Sequence, residues 1–253
     1  LKAFYDLVEV MRRLREKDGC PWDREQNHET LKPYLVEETY EVLEAIDKKD
    51  DIHLMEELGD LLLQIVFHAQ IEAEEGRFTI DDVAAEIVKK LKRRHPHVFG
   101  TVKVDTPDQV LENWEHIKKS EGKESVLDGV PKELPALLKA RRVQEKVKRV
   151  GFDWEDIDGA MRKVTEEVKE LGDALAHGDE KHAKEEFGDV LFSLVNVSRF
   201  LGIDAEDALR KTIDKVMERF RYLEQKVREK PGKPLEQYTL EELDRLWESA
   251  KDE

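Results

Sequence analysis

Two acidic stretches carry the residue types that could do chemistry: Glu37-Glu38-Thr39-Tyr40-Glu41 and Glu56-Glu57-Leu58-Gly59-Asp60. Each holds a carboxylate pair three residues apart, Glu38 with Glu41 and Glu57 with Asp60. On a helix this spacing places both side chains on one side, about one turn apart. The arrangement returns as Glu166-Glu167-Val168-Lys169-Glu170 and Glu185-Glu186-Phe187-Gly188-Asp189. A constant offset of 129 residues relates Glu38 to Glu167, Glu41 to Glu170, Glu57 to Glu186 and Asp60 to Asp189. Oxygen-only donors without a Cys or His cluster suit a hard cation, Mg²⁺ with Mn²⁺ or Ca²⁺ as alternatives, rather than zinc. Mg²⁺ typically bridges protein carboxylates to phosphate oxygens, so the pattern points to a metal-dependent enzyme acting on a phosphate ester or anhydride.

In a chain with 40% charged residues, acidic pairs are ordinarily a solvated helix face. Helical angles argue otherwise here. At about 100° per residue, Leu31, Leu35, Glu41, Val42 and Ala45 fall within about 60° of Glu38, whereas Glu37 and Glu44 fall outside. Glu57 shares its sector with Leu54, Asp60, Leu61 and Gln64, and Glu167, Glu170, Glu186 and Asp189 lie beside Leu171, Val190 and Ser193. Carboxylates on apolar stripes repel and rise in pKa unless Lys, Arg or a cation compensates them. A ferritin-like di-iron site would want Glu-x-x-His, which these helices lack. A purely structural acidic network is the remaining alternative.

The elements that must position these groups read as all-α, in two copies. Apolar residues Phe4, Leu7, Val8, Met11 and Leu14 mark a helix over 3–17, broken at Gly19-Cys20-Pro21-Trp22-Asp23. The first acidic helix is expected over Thr30–Lys48 with Pro33 in its first turn. The second, over Ile52–Glu75, is apolar almost all round and is expected to be central and buried. Thr79 caps a helix that ends at Arg94 before His95-Pro96-His97, and Thr106-Pro107-Asp108 starts one carrying Trp114. Residues 119–135 are polar and breaker-rich and read as a linker between domains 1–118 and 136–253.

The second half repeats the order: a helix over 136–149, a break at Gly151-Phe152-Asp153-Trp154, two acidic helices parted by His177-Gly178-Asp179, and a helix over Ala205–Glu229. After the Pro231-Gly232-Lys233-Pro234 loop, Thr239 and Glu242 form a capping box for the last helix. Trp22 pairs with Trp154 and Trp114 with Trp247 across the repeat, as core or interface anchors. Gly59 and Gly188, mid-helix, point to close helix approach.

A net charge of −16 argues against a nucleic-acid partner. The single cysteine, Cys20, excludes an intrachain disulfide framework and fits a reducing, cytoplasmic setting, with no signal peptide expected. The apolar runs are too short for a membrane span. Lys90 with Arg94, and Lys215 with Arg219, are four apart on their helices, a spacing that offers two positive charges to a polyphosphate. His53 and His182 match across the repeat, one turn before Glu57 and Glu186, within reach of a phosphate or ribose if they are not simply surface or capping residues.

Glu-Glu-x-x-Glu, fifteen further residues, then Glu-x-x-Asp, resembles the signature of the all-α nucleoside triphosphate pyrophosphohydrolases. Together with residues 19–26, Arg93-Arg94-His95-Pro96-His97-Val98-Phe99 and Val150-Gly151-Phe152-Asp153-Trp154, the chain resembles the two-domain MazG family over nearly its whole length. The resemblance implies hydrolysis of nucleoside triphosphates to monophosphate and pyrophosphate, Mg²⁺ dependence, a homodimer of helical bundles and a nucleotide-pool cleaning role. It implies Glu38, Glu41, Glu57, Asp60, Glu167, Glu170, Glu186 and Asp189 as metal ligands. It implies Lys215, Arg219 and Trp247 as nucleotide contacts, with His182 standing where some members carry Lys. Glu37 and Glu166 are the candidates to take a proton from the attacking water. A relative specific for dUTP, dCTP or phosphoribosyl-ATP, or a non-enzymatic helical scaffold, would share much of this pattern.

Overall fold

The computed structural model describes residues 2–104, 106, 109–110, 113, 125–229 and 234–250. Trp114 and most of the helix expected from Thr106, part of the expected linker and most of the 231–234 loop lie outside the described residues. Contacts divide the chain into two compact units, Leu1–Glu121 and Gly122–Glu253. Every regular element among the described residues is helical.

The first unit contains α1 (Lys2–Arg15), α2 (Pro21–Glu25), α3 (His28–Lys48), α4 (Asp51–Glu74), α5 (Ile80–Arg94) and the short α6 (Pro96–Phe99). Its centre is the α3–α4 hairpin, with α1 and α5 packed on α4. Met11, Leu31, Val66, Phe67 and Ile71 form the buried core. Arg15 ties α1 to the end of α4, donating to both carboxylate oxygens of Glu74 at 2.8 and 2.9 Å. Helix α3 starts earlier than its sequence suggests, because Asn27 caps the amides of Glu29 and Thr30 and closes a capping box with Thr30. Pro33 consequently sits inside the helix, beyond the first turn, where its ring removes one backbone donor.

The second unit contains α7 (Ala136–Lys148), α8 (Ile157–His177), α9 (Glu180–Phe200), α10 (Ala205–Glu229), a 3₁₀ turn at Leu235–Gln237 and α11 (Leu240–Ser249). The α8–α9 hairpin is its centre; α7 packs on α9 and α10, and α11 packs on α10. Lys146, within α7, donates to the carbonyls of Val126 and Asp128 at 3.1 and 3.0 Å, which ties the chain before α7 to this unit. Thr239 closes the expected capping box with Glu242, and Thr79 is the expected cap of α5 and also closes a box with Asp82.

The hairpin bends of the two units differ instructively. Gly178 ends α8 in the left-handed region at φ 69°, while its counterpart in the first unit, Lys49, takes the same conformation at φ 55°. A side chain there is strained, and Gly is not.

Three expectations are corrected. The apolar residues of α4 reach the core only in its second half: Ile52, Met55 and Leu58 are exposed, while Val66, Phe67 and Ile71 are core. An all-apolar helix needs cover on every side, and within its own unit α4 has neighbours on only part of its surface. Gly59 and Gly188 face open space, with nothing within 4 Å of a Cβ added at either, so no close helix approach within the described chain requires them. Trp22 and Trp154 are 51% and 45% exposed, so neither is a core residue of its unit.

Candidate active site

Each hairpin brings its acidic pairs together. In the first unit, carboxylate oxygens of Glu38 on α3 and of Glu57 and Asp60 on α4 lie within 4.8 Å of one another. In the second, Glu167 on α8 meets Glu186 and Asp189 on α9 within the same limit, and Glu166, Glu167 and Glu170 form an overlapping group. The angular reading holds in part: Glu57, Glu167 and Glu186 are buried, and Glu37 is exposed. Asp60, Glu170 and Asp189 lie at the exposed rim, so each cluster opens to solvent on one side.

Electrostatics mark these carboxylates as uncomfortable by themselves. Glu38 is raised above the ordinary carboxylate range by burial first, then by the charges of Asp60 and Glu41. Burial, then Glu41, raises Glu57. Glu186 is raised by burial and by its contact with Glu167. Its Oε2 is buried without a hydrogen-bond partner. Such an orphaned acceptor beside like charges is what a divalent cation with oxygen preference would satisfy, so the residues fit a hard metal ion. Glu41 and Glu170 fall outside the Glu38-Glu57-Asp60 and Glu167-Glu186-Asp189 triads, although Glu41 acts electrically on both Glu38 and Glu57.

The two copies are not equivalent. In the second, Lys163 pairs with the buried Glu167 and, at 2.8 Å, with Glu166. Position 34, at the same repeat offset, is Tyr34. The sequence signal for this lysine was available: it stands three and four residues before two motif glutamates, the spacing of helical ion pairs. His53 and His182 bear on the clusters through Glu57 at 3.2 Å and Glu186 at 3.5 Å.

The basic candidates are only partly gathered. Arg219 on α10 lies 5.9 Å from the ring centroid of Trp247 on α11, so these two form one surface. Lys215 is exposed one turn earlier on α10. Lys90 and Arg94 are half-buried at the end of α5. Among the described residues no ion pair joins Lys90, Lys215 or Arg219 to the acidic clusters.

A second polar network, in the first unit, was not foreseen. His28 stacks on His68 with their Nδ1 atoms 2.7 Å apart, and its Nε2 meets buried Glu72 at 2.5 Å. Arg77 donates to both Glu72 oxygens, at 2.5 and 2.8 Å. At the repeat offset the second unit has Ile157, Val197 and Leu201 in place of His28, His68 and Glu72, so this network belongs to the first unit's packing and not to the duplicated site.

Fold and site together define a duplicated all-α protein whose two helical hairpins each present a carboxylate centre suited to a hard cation. A family model described as the MazG nucleotide pyrophosphohydrolase domain matches residues 26–99 and 156–223, once in each unit. The chain belongs to this family and is an enzyme of the pyrophosphohydrolase class. It is 51% identical to the nucleoside triphosphate pyrophosphohydrolase/pyrophosphatase MazG of Thermotoga maritima, over 98% of this chain and 95% of that one. It is 43% identical to the nucleoside triphosphate pyrophosphohydrolase of Escherichia coli K12, over 97% and 95%. A protein of Bacillus subtilis, YabN, is 51% identical over 98% of this chain but only 52% of its own length. Among the described residues no helix is long and apolar enough to cross a membrane.

Proposed function

We propose that the enzyme hydrolyses nucleoside triphosphates to nucleoside monophosphate and pyrophosphate with Mg²⁺, and clears unwanted nucleotides from the cytoplasmic pool. The observation that carries this reading is the pair of carboxylate clusters, whose raised pKa values and orphaned Glu186 oxygen suit a divalent cation. The names of the relatives supply the substrate class. Glu38, Glu41, Glu57 and Asp60, and Glu167, Glu170, Glu186 and Asp189, are the ligands we assign. When bound, the cation supplies positive charge that polarises phosphate oxygens and offsets the charge of the leaving pyrophosphate.

The chain's own groups do the rest. Glu37 and Glu166, exposed and next to Glu38 and Glu167 in the chain, are assigned to accept a proton from the attacking water. Lys163 pairs with Glu166 and Glu167 and has the charge and length to turn to a phosphate oxygen. Arg219 with Trp247, Lys215 and His182 are assigned to the nucleotide in the second unit, and Lys90 and Arg94 to the first.

The homodimer is part of the same proposal. Val83, Ile87 and Leu91 on α5, and Leu209, Ile213, Val216 and Phe220 on α10, are apolar stripes exposed at helical spacing. With the exposed apolar residues of α4, they are the surfaces that a second copy would cover to complete each bundle.

A product-resolved assay tests the reaction. AMP plus pyrophosphate from ATP is expected, and ADP plus phosphate would refute it. Glu186→Ala and Asp189→Ala should abolish turnover in the second unit without unfolding; activity that survived these changes and their first-unit equivalents would overturn the assignment.

A further inference from the structure

The first carboxylate cluster has a polar neighbour that the duplicated motif does not include. Gln64 on α4 is 6% exposed, and its Oε1 is buried with no hydrogen-bond partner. We propose that Gln64 is a neutral oxygen donor to the cation of the first copy, and that this copy holds a divalent cation before any nucleotide arrives. The proposal rests on the hard-cation reading of the first cluster and adds to it a donor residue that the second copy lacks.

Three observations carry it. The first is the orphaned amide oxygen. A buried acceptor without a donor costs stability, so its presence in a packed interface asks for a ligand. His68, the next polar residue along the same face of α4, does not satisfy it, and the His68 Nε2 is itself buried without a partner. An amide oxygen serves a hard cation as a carboxylate does, but brings no charge and so no added repulsion.

The second is aim. Glu57 and Asp60 on α4 meet Glu38 on α3, and His68 on α4 meets His28 on α3, which marks the α3-facing side of α4 at two levels. At about 100° per residue, Gln64 lies about 20° from Glu57 and about 40° from both Asp60 and His68, so it belongs to that side. Long side chains on a helix lean over the turn N-terminal to their own Cα. For Gln64 that turn carries Asp60, with Glu57 one turn further. Helix α3 runs antiparallel to α4 in the hairpin, so Glu38 leans toward Gln64 from the opposite direction. The amide and the three carboxylates are thus directed at one stretch between the helices.

The third is the contrast between the copies. At the repeat offset Gln64 becomes Ser193. Ser193 is equally buried, but its Oγ donates to the Val190 carbonyl at 2.9 Å and is satisfied within its own helix. The second cluster also carries a cation of its own, Lys163 on Glu167. Among the described residues no lysine or arginine pairs with Glu38, Glu41, Glu57 or Asp60. His53 lies 3.2 Å from Glu57, and His182 matches it in the second copy, so the histidines do not distinguish the two. A metal entering the second cluster competes with an ammonium, whereas one entering the first meets uncompensated carboxylates and an unpartnered amide oxygen. Without nucleotide, the first copy is the better cation site.

Mn²⁺ binding to the full-length protein without nucleotide, followed by electron paramagnetic resonance, tests this. In the wild type the tighter Mn²⁺ site should survive Glu186→Ala and be lost in Glu57→Ala; the reverse order would overturn the claim for the first copy. The role of Gln64 is read in a parent carrying Glu186→Ala and Asp189→Ala, which leaves only the first cluster complete. Gln64→Met keeps the shape and removes the oxygen, and should weaken Mn²⁺ binding roughly ten- to hundredfold. In chelator the same variant should melt roughly 2–8 °C above its parent, because an unpaired buried acceptor has gone. Gln64→Glu keeps an oxygen and adds a charge, so it should bind Mn²⁺ at least as tightly as the parent yet melt below it in chelator. A glutamine that merely fills the core would lose stability on both changes and leave Mn²⁺ affinity where it was, and that result would overturn the proposal. Should Gln64→Met fail to fold by circular dichroism, Gln64→Glu decides alone, and weaker Mn²⁺ binding there than in the parent is equally fatal. A parent that bound no Mn²⁺ would bring down the metal reading of the first cluster together with the proposal, whereas unchanged binding in Gln64→Met would remove Gln64 alone.

Discussion

Replacing Glu38 by Gln should stabilise the metal-free protein and destabilise the metal-loaded one relative to wild type. In the first cluster Glu38 lies within 4.8 Å of carboxylate oxygens of both Glu57 and Asp60, and Tyr34 stands where the second cluster has a lysine. Two like charges at such a distance repel by about 1 kcal/mol in water and about 4 kcal/mol at the effective dielectric of a protein surface. Asp60 is solvent-exposed and Glu38 is only half-buried, so solvent screens the pair and the net relief on Glu38→Gln is nearer the lower limit, about 1–2 kcal/mol. In a unit of this size that is a rise in Tm of roughly 3–8 °C. The assay is calorimetry of both proteins in chelator and in a Mn²⁺ or Mg²⁺ series. Wild type should gain about 2.7 kcal/mol at a metal concentration one hundred times Kd, and the variant much less, so the two melting curves cross. A variant less stable than wild type in chelator, or equal metal stabilisation of both, would refute the reasoning.

Lys163→Met should lower metal-free stability by about 1 kcal/mol, well under the full cost of breaking a buried pair because the lysine side chain is 35% exposed. The same change should tighten Mn²⁺ binding, measured by titration calorimetry, since the ammonium competes for Glu167, and should raise KM for triphosphates. Lys49→Gly should stabilise the first unit by about 1 kcal/mol in urea unfolding, because it removes a side chain from a left-handed residue. Glu72 is held at about 2 by Arg77 first and His28 second. Its contribution to stability is therefore complete above the unfolded value of 4.5 and is lost as pH falls from there toward 2. Glu72→Gln should flatten the acid limb of the Tm–pH curve across that window, and an unchanged limb would show that other carboxylates govern acid unfolding.

Much of this was legible in the sequence because it is local. Capping boxes at Thr79 and Thr239, the 3.6-residue stripes and the separation of Glu38 from Glu37 all follow from dihedral geometry within one helix. The repeat made the acidic signal specific, since chance does not reproduce four carboxylates at one offset. Helix α3 begins before Thr30 because Asn27 caps it and Thr30 is that cap's box partner, a pairing the apolar period does not report. The burial of α4 was overstated because composition reports what a helix wants covered, not what its own unit covers.

The sequence by itself determined the helices, the duplication, the identity of the carboxylates and which of them share the apolar face, because each is a property of residue type and period. Only the tertiary structure decided what lies across from them. It set Lys163 on Glu167, left Glu186 with an orphaned oxygen, and joined His28, His68, Glu72 and Arg77. It also left Gln64 with an orphaned oxygen in one copy and bonded Ser193 to Val190 in the other. The acidic motifs are nearly the same in both copies. The difference lies in side chains that meet between helices, and such pairings depend on packing, which no single helix's period encodes.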